Sequence, residues 1–395
     1  MRWNYRTLEE AIRTVEKRTK LSLRMELCDI DSACGRVLAR TVRAGVSVPP
    51  WNRSAVDGYA VRSADLNKRG TKTLRLDGSV HAGEVSGIKV RKGGCVAIAT
   101  GAPVPDGADA VVMMEFAEVR GDSVAISGDV EKWENISRMG VDIVKGSVAA
   151  EKGKRLTAGM IGSLASQGIR DVPVMKRPEV AIIPGGDEIA PHGSEARQGQ
   201  IYDVNSHVVA AVVSDAGGTP SIHDPVGDTP GDVDSALSWG LKKDICVFVS
   251  GSSVGERDLT ASAIAGSGRL LFHGVRMRPG RPTMFGIVDG KPVFGLPGYP
   301  VSSFVGAHLL LRRCIMRMTG EHPSNNNVVR TAYRGRESAA PGFMSIIPVR
   351  VTANGAYPVF KESGAITSIA AASGLVMLGA GKRIRNGQVV EVRLL

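Results

Sequence analysis

The sequence predicts a multidomain protein of the α/β plus β class that contains one doubly wound α/β domain. The chain has 395 residues, more than one hydrophobic core usually supports, so we expect several domains. Strand and helix patterns alternate from about residue 176 to residue 318, which is typical of a parallel sheet covered by helices. Short apolar runs separated by Gly and Pro fill residues 49–135 and the segment after Gly320, which indicates two β-rich modules.

The first half of the chain changes pattern twice. We expect a helix from about Leu8 that gives way to extended chain toward Ala44. Alternating runs at residues 73–76, 95–99 and 110–114 then predict short strands. The stretch LTAGMIGSLASQG predicts one helix that ends at Gly168.

Strands of the buried type and capped helices alternate in the second half. EVAII, DICVFVSG and LLFHGVRM have the composition of buried strands. Asn205 is predicted to cap the first helix, which Gly217 ends, and Thr229 is predicted to cap the next. The Asp-Gly pair at 289–290 predicts a hairpin turn, and a long helix should follow from about residue 300. Beyond residue 320, Asn-Gly turns between apolar runs predict a small closing β-barrel or sandwich.

Composition and charge bound the functional class. The net charge of +11 suits anionic ligands but does not choose among nucleic acid, nucleotides and oxyanions. No basic helix with interleaved aromatic residues supports nucleic-acid binding, which is the least favoured interpretation. Five scattered cysteines without a C-x-x-C pair indicate neither a disulfide framework nor a zinc site. The N-terminus lacks a signal-type apolar run and no segment reaches the ~20 apolar residues of a membrane span, so we expect a cytoplasmic protein without a membrane partner.

Polar loops follow the strands of the α/β region. PGGDE carries Asp187 and Glu188, HDPVGD carries Asp228, SGSSVGERD ends in Asp258, and RMRPGRP carries Arg278 and Arg281. Parallel strands end at one edge of their sheet, so these loops should gather there. Glycine-rich loops at helix N-termini bind phosphate or other oxyanions, and arginines add to such a site. The carboxylates would repel an anion unless a Mg²⁺ ion joined carboxylate and phosphate oxygens, so the loops together favour a magnesium-plus-oxyanion site.

Several stretches resemble one family, the MoeA-type molybdopterin molybdenumtransferases, whose eukaryotic relatives include the C-terminal half of gephyrin. The stretches are PPWNRSAVDGYAVRSADL, ATGAPVPDGADAVVM, GGDE, QIYDVN, SVGERD, RPGRP and GLPGYPVSS, in the family's order. Tyr299 stands where the family usually has Asn, in GLPGNP. The resemblance implies a helical linker domain (1–44 and 140–173), a β-rich inserted domain (45–139), a molybdopterin-binding α/β domain (174–320) and a C-terminal β-barrel (321–395).

The resemblance also implies an activity and a homodimer whose active site is shared between subunits. The implied reaction is Mg²⁺-dependent insertion of molybdate (or tungstate) into adenylated molybdopterin, which releases AMP. A molybdopterin adenylyltransferase is a candidate upstream partner. The implied catalytic residues are Asp57, Thr100, Asp142, Glu188, Asp228 and Asp258, the last three also as metal ligands. The implied substrate-binding residues are Gly186, Asp187, Ser250, Gly251, Ser253, Gly255, Arg278, Arg281, Pro297, Gly298, Pro300 and Ser302.

Two alternative functions remain open from the sequence. A molybdopterin adenylyltransferase or another nucleotide-binding relative would consume ATP and would not need Asp57. A non-catalytic molybdopterin-binding scaffold would bind a partner peptide and would tolerate loss of Asp228.

Overall fold

The structure is a computed structural model of the 395-residue chain. It describes residues 4–22, 24–66, 70–190, 193–250, 259–321 and 327–395. Three six-stranded sheets carry most of the described strands. No helix within the described ranges combines the length and the apolar composition that crossing a membrane requires.

The chain up to residue 175 is rich in strands. Its helices are α1 (Leu8–Arg18), α2 (Ser63–Leu66) and α3 (Ala158–Ala165). Its strands are β1 (Met25–Asp29), β2 (Val42–Arg43), β3 (Arg53–Ser54), β4 (Gly58–Val61), β5 (Thr71–Val80), β6 (Gly94–Ile98), β7 (Ala110–Met113), β8 (Ala117–Arg120), β9 (Ser123–Ser127), β10 (Ile136–Ser137), β11 (Val148–Ala150) and β12 (Asp171–Met175). The three predicted short strands correspond to β5, β6 and β7.

Helix α1 begins at a reciprocal cap. The Thr7 hydroxyl accepts from the Glu10 amide at 3.2 Å, and the Glu10 carboxylate accepts from the Thr7 amide at 2.9 Å. Leu8, Ala11 and Val15 follow helical spacing and are buried in the same hydrophobic cluster as the α/β sheet. Although α1 lies in the segment expected to form the linker, its apolar face therefore belongs to the core of the α/β region.

The inserted sheet has the strand order β7-β4-β6-β5-β9-β8. Three antiparallel pairs, β1–β12, β2–β11 and β3–β10, join the chain before this sheet to the chain after it. Helix α3 packs beside these pairs and ends ahead of Gly168, which has a φ of +71° as the sequence predicted.

The α/β region is built on one mixed sheet with helices on both faces. The strands of this region, three of which (β14, β15 and β19) lie outside the main sheet, are β13 (Glu179–Gly185), β14 (Ile189–Ala190), β15 (Ile201–Tyr202), β16 (Thr219–Ile222), β17 (Ile245–Ser250), β18 (Gly268–His273), β19 (Met277–Arg278), β20 (Met284–Val288) and β21 (Lys291–Pro297). Its helices are α4 (Asn205–Asp215), α5 (Pro230–Gly240), α6 (Leu259–Ser267), α7 (Pro300–Gly306) and α8 (Arg312–Thr319). A π-helical turn over Ala307–Leu311 joins α7 to α8, so the long predicted helix runs from Pro300 to Thr319.

The main sheet has the order β16-β13-β17-β21-β20-β18. β13, β16, β17 and β21 are parallel, and β20 runs antiparallel to both β21 and β18. Consequently the carboxyl ends of five strands lie at one edge, as the sequence predicted. Helices α4 and α7 pack in the cluster on one face, and α5 and α6 pack in the cluster on the other, so the sheet is doubly wound. β18 is an edge strand, and only its last two residues are buried.

One helix cap differs from the prediction. Asn205 is the first residue of α4 and does not cap it. The N-cap position is Val204, which makes no side-chain capping bond, and the Asp203 carboxylate one residue earlier accepts from the Ser206 amide at 3.0 Å. Two cap-forming residues stand two positions apart in this stretch, and tertiary contacts described below direct the Asn205 side chain elsewhere. The Thr229 cap, the left-handed Gly217 and the hairpin turn at 289–290 agree with the prediction.

The segment after residue 320 contains β22 (Val328–Ala332), β23 (Glu337–Ser338), β24 (Met344–Thr352), β25 (Gly355–Pro358), α9 (Thr367–Ala370), β26 (Gly374–Leu378), β27 (Arg383–Ile384) and β28 (Val389–Leu394). Its sheet has the order β19-β24-β26-β28-β22, with β25 on β24. Because β19 belongs to the α/β region, this sheet ties the last segment of the chain to the arginine loop that follows β18.

Candidate active site

The ends of three neighbouring strands form the floor of the candidate site. Gly185 pairs with Ser250 across β13 and β17, and Ser250 pairs with Pro297 across β17 and β21. Adjacent strands lie about 4.8 Å apart, so these three positions span a short row at the carboxyl edge of the sheet. Strand connections leave β13 toward β16 and leave β17 toward the opposite side, which is where open α/β sheets form a crevice for ligands.

The two acidic loops are joined at one end of this row. The Gly186 amide donates to the Val226 carbonyl at 3.1 Å, which connects PGGDE to HDPVGD. Gly186 has a φ of +131°, and a Cβ atom there would lie 2.5 Å from a carboxylate oxygen of Glu188. Glycine readily adopts this backbone conformation and leaves room for the Glu188 carboxylate beside it.

Burial and two neighbouring acids raise the pKa of the Asp228 carboxyl. Surrounding protein atoms raise the pKa of the Asp228 carboxyl by displacing water, and the negative charges of Asp187 and Glu188 raise it further. The three carboxyl groups therefore share one region of negative potential. A divalent cation between them would relieve this repulsion, and carboxylate oxygens are the ligands that Mg²⁺ prefers.

Two of the three predicted metal ligands lie in this acidic region. Glu188 and Asp228 are brought together there, and Asp258 lies outside the described residues. Within the described part of the chain, no three His, Cys, Asp or Glu side chains are arranged to bind a metal ion together. The predicted substrate residues Gly251, Ser253 and Gly255 also lie outside the described residues.

The two arginines lie on the loop after β18 and share an aromatic support. The Arg278 guanidinium carbon is 4.5 Å from the centre of the Phe343 ring, and that of Arg281 is 5.7 Å from the same ring. Arg281 Nε also donates to the Tyr5 hydroxyl at 2.6 Å, and its guanidinium carbon is 5.3 Å from the Tyr5 ring. Contacts of cations with aromatic faces hold both guanidinium groups in place while leaving the two arginines exposed.

This loop packs against the helix that follows β21. The Val275 amide donates to the Arg281 carbonyl at 2.9 Å, which closes the loop. A Cβ atom at Gly280 would lie 3.5 Å from the Val305 side chain, so the loop rests on α7. The arginines and the start of α7, which carries Pro300 and the buried Ser302, therefore belong to one packed unit.

Buried polar atoms concentrate where α4 meets α7. The Asn205 side-chain nitrogen donates to the Gly298 carbonyl at 2.6 Å. The side-chain oxygen of Asn205 and the hydroxyls of Ser206 and Ser303 are buried and have no hydrogen-bond partner among the described residues. Buried polar groups usually have partners, so this group is either strained or awaits water or a ligand.

Tyr299 occupies the N-cap position of α7 and makes no capping bond with its side chain. Its side chain is largely exposed, at 65%. The Val301 amide instead donates to the Ser363 carbonyl at 3.1 Å, so the segment after residue 320 caps part of α7.

Asp57, which directly precedes β4 of the inserted sheet, is held by the segment that follows β6. Asp57 Oδ1 accepts from the Thr100 amide at 2.7 Å and from the Thr100 hydroxyl at 3.0 Å. The amide, followed by the hydroxyl, lowers the pKa of the Asp57 carboxyl, so this exposed group stays ionised. A Cβ atom at Gly58 would lie 1.9 Å from the Val112 carbonyl oxygen, so glycine is required after the acid.

Asp142 lies apart from this pair along the chain. Its side chain is exposed, and its amide donates to the Val48 carbonyl at 3.1 Å. The structure thus brings Asp57 and Thr100 together on the inserted sheet, while Glu188, Asp228 and the arginines lie at the edge of the α/β sheet.

Sequence reasoning missed three residues of the site. Tyr5 and Phe343 support the arginines, and Asn205 binds the loop that begins α7. Tyr5 and Phe343 are separated from the arginines by long stretches of chain and carry no local signal. Asn205 stands in QIYDVN, one of the family stretches, and that motif was the available clue.

Comparisons with known proteins agree with this architecture. Three family models match in order: the MoeA N-terminal region (domain I and II) over residues 6–168, the probable molybdopterin binding domain over residues 181–317, and the MoeA C-terminal region (domain IV) over residues 334–395. A molybdopterin molybdenumtransferase of Staphylococcus epidermidis is 30% identical over 96% of this chain and 97% of its own length. One of Staphylococcus aureus is 31% identical over 92% of this chain and 90% of its own length.

A solved structure supports the same assignment. The crystal structure of the molybdopterin biosynthesis MoeA protein from Pyrococcus horikosii is 33% identical and covers 99% of both chains, with a TM-score of 0.85. The resemblance found in the sequence motifs is therefore confirmed, and the chain belongs to the MoeA family, the molybdopterin molybdenumtransferases.

Proposed function

We propose that this protein is the enzyme that inserts molybdate, or tungstate, into adenylated molybdopterin and releases AMP, with Mg²⁺ as cofactor. One observation carries the proposal: acids and arginines from separate loops lie along the same carboxyl edge of one sheet. The names of the relatives supply the chemistry of molybdopterin, and the charges of this edge suit a pyrophosphate and an oxyanion.

The acidic end of the edge suits the pyrophosphate group. Glu188 and Asp228, together with Asp258, would hold a Mg²⁺ ion, which supplies charge neutralisation and polarises the phosphate oxygens. Gly186 leaves room for the Glu188 carboxylate, and Asp187 adds to the negative field that favours a cation over a bare anion. The glycine-rich sequence SGSSVGERD, most of which lies outside the described residues, would hold the pterin through its amides.

The arginine end suits the oxyanion. Arg278 and Arg281 offer guanidinium groups, and the start of α7 from Pro297 to Ser302 offers amides and a hydroxyl. These donors would bind a tetrahedral dianion beside the dithiolene sulfurs of the pterin. The protein's main contribution is then to hold two reactants in contact, which converts a bimolecular step into an intramolecular one.

The proposal includes a homodimer with a shared site. Asp57 is exposed, ionised and fixed by Thr100, which suits an acid presented to a second subunit. Large apolar side chains around the joins between the inserted sheet and the rest of the chain are exposed, which supports a subunit contact there. They are Val46, Trp51, Met139, Val141 and Val144. Asp142 lies within this surface.

The proposal also follows the family in its division of the chain and in its cellular setting. The single bridge between Tyr333 and Ala356 links the two ends of the last sheet and supports a C-terminal β-barrel. A linker of residues 1–44 and 140–173 is supported by the strand pairs that join these two segments. We propose a cytoplasmic enzyme that receives its substrate from a molybdopterin adenylyltransferase.

A single assay tests the function. Purified protein is incubated with adenylated molybdopterin, Mg²⁺ and either molybdate or tungstate, and AMP release is followed. We expect AMP release that depends on one of the two oxyanions and that stops when EDTA is added. AMP release from neither oxyanion would refute the enzyme proposal, and ATP consumption with free molybdopterin would instead indicate an adenylyltransferase.

A further inference from the structure

A second basic cavity lies away from the candidate active site, between α8 and the last strand of the chain. Its volume is about 140 Å³, and its basic lining comes from His308, Arg312, Arg313 and Arg393. A phosphate-sized anion fits this volume.

Three guanidinium groups meet at this cavity with unequal compensation. Arg312 forms an ion pair with Asp215, and Arg313 Nη1 lies 3.9 Å from Glu16 Oε1. Arg393, half-buried on β28, has no ion pair within the described part of the chain. Burial lowers the pKa of Arg393, and the positive charge of Arg313 lowers it further.

Glu321, an acidic residue that also lines the cavity, is already paired with Arg155. Glu321 accepts from Arg155 Nε at 2.9 Å and from Arg155 Nη2 at 2.7 Å, in a two-pronged pair. Its charge is therefore compensated from outside the cavity. Among the three guanidinium groups, Arg393 is therefore the one without an acidic partner within the described residues.

His308 supplies a neutral group to the same wall. Burial lowers its pKa to about 4, and the charges of Arg312 and Arg393 contribute to this shift. At neutral pH its imidazole is uncharged and can either donate or accept a hydrogen bond. It can therefore bind a phosphate oxygen or a phosphate hydroxyl.

We propose that this cavity binds a small anion of the phosphate class, held by Arg393 from the C-terminal strands and by Arg312 and Arg313 from α8. Guanidinium groups match tetrahedral oxyanions with paired hydrogen bonds. The bound anion would join α8 to β28 and so would fix the C-terminal strands against the α/β region.

The proposed site is distinct from the candidate active site. Arg312 follows Pro300 by twelve residues along the continuous helical segment, which corresponds to about 18 Å at 1.5 Å per residue. The two sites also draw on different arginines. Binding at one can therefore be removed without altering the residues of the other.

The test is calorimetric titration of the full chain with inorganic phosphate, or with AMP as a phosphomonoester, at constant ionic strength set with NaCl. Five proteins are compared: wild type, Arg393→Gln, Arg393→Lys, Arg281→Gln and Arg330→Gln. Arg281→Gln removes an arginine of the candidate active site, and Arg330→Gln removes an exposed arginine of β22, 3.9 Å from Glu391. Thermal melts check that every variant is folded.

We expect a saturable phosphate-class site that survives in Arg281→Gln and Arg330→Gln and is weakened at least tenfold in Arg393→Gln. Arg393→Lys should restore part of the affinity, which a merely destabilised variant would not do. Binding of phosphate alone would identify a free-anion site, whereas stronger binding of AMP would identify a phosphomonoester site. Unchanged affinity in Arg393→Gln for both ligands, or no saturable binding in Arg281→Gln, would overturn the proposal. Turnover in the AMP-release assay should be retained by Arg393→Gln, so the two proposals fail separately.

Discussion

The side-chain amide of Asn205 donates a 2.6 Å hydrogen bond to the backbone carbonyl of Gly298. This contact joins the first residue of α4 to the loop that precedes α7, across 93 residues of sequence. It fixes the loop whose amides we assign to the oxyanion, and it explains why the Asp203 carboxylate, and not the Asn205 side chain, accepts from an amide in the first turn of α4.

The first prediction tests this contact. Asn205→Ala should lower the free energy of unfolding by about 1–3 kcal/mol, because the Gly298 carbonyl would be left without its partner. Turnover should fall as well, because the loop would no longer be anchored. Ser206→Ala is the matched control, since it removes a buried hydroxyl that has no partner within the described ranges and should be neutral or stabilising. Equal losses of stability in urea unfolding would contradict the assigned role of Asn205.

The second prediction concerns the aromatic support of the arginines. Phe343→Leu removes the ring beneath Arg278 and Arg281, and an exposed interaction of this kind contributes about 0.5–1 kcal/mol. We expect the KM for molybdate to rise roughly 2–5-fold for each arginine left without the ring, with little change in kcat. Tyr5→Phe should give a smaller rise, because it removes the hydrogen bond to Arg281 and keeps the ring.

The control for this prediction is Phe116→Leu, which alters an exposed phenylalanine of the inserted domain. It should leave the KM for molybdate unchanged. If Phe343→Leu lowered kcat alone, the ring would not position the oxyanion donors.

The general layout of the site could be predicted from sequence because a helix between two strands of one sheet makes those strands parallel. Alternation of strands with helices set β13, β17 and β21 parallel, and their ends then had to share an edge. The supports of that edge could not be predicted in the same way. Tyr5 reaches Arg281 across 276 residues, and no periodicity in either segment refers to the other. Cap assignment failed for a different reason, since Asp203 and Asn205 are both good caps and only the distant Gly298 carbonyl distinguishes them.

The third prediction concerns the N-cap position of α7, where the Tyr299 side chain makes no capping bond. Tyr299→Asn should raise the free energy of unfolding by about 0.5–1 kcal/mol, because an asparagine at the N-cap can accept from the Ser302 amide, whereas the Val301 amide already donates to the Ser363 carbonyl. Tyr202→Asn changes another exposed tyrosine that does not cap a helix, so it should give no such gain. An equal change in both variants by chemical denaturation would count against capping as the cause.

The fourth prediction concerns the acidic end and its pH dependence. The folded-state pKa of Asp228 is raised, so the protonated form is favoured by folding. Its contribution to stability is therefore full below the ordinary carboxyl pKa and is lost as the pH rises through the folded-state value. Asp228→Asn removes this loss, so in EDTA at pH 7 the variant should be more stable than the wild type.

Mg²⁺ should reverse this order of stability, so that the wild type becomes more stable than Asp228→Asn. If Mg²⁺ binds the native acids as we propose, it should raise the melting temperature of the wild type and have little effect on Asp228→Asn. Asp234→Asn, an exposed change on α5, serves as the control and should follow the wild type. If Mg²⁺ raised the melting temperatures of all three proteins equally, Asp228 would not be a ligand.

The fifth prediction tests whether the active site is shared between subunits. Asp57→Asn keeps an oxygen that can accept from Thr100 but removes the charge, so the fold should be retained while turnover falls strongly. Asp228→Asn should also suppress turnover, through the other half of the site.

Unfolding and refolding the two variants together would form mixed dimers, in which one of the two sites has both acids intact. We expect turnover to recover toward a quarter of the wild-type value, because about half of the dimers are mixed and each has one complete site. Asp122→Asn, an exposed change in the same inserted domain, should need no rescue. No recovery in a preparation where mixed dimers are demonstrated would place Asp57 and Asp228 in the site of the same subunit.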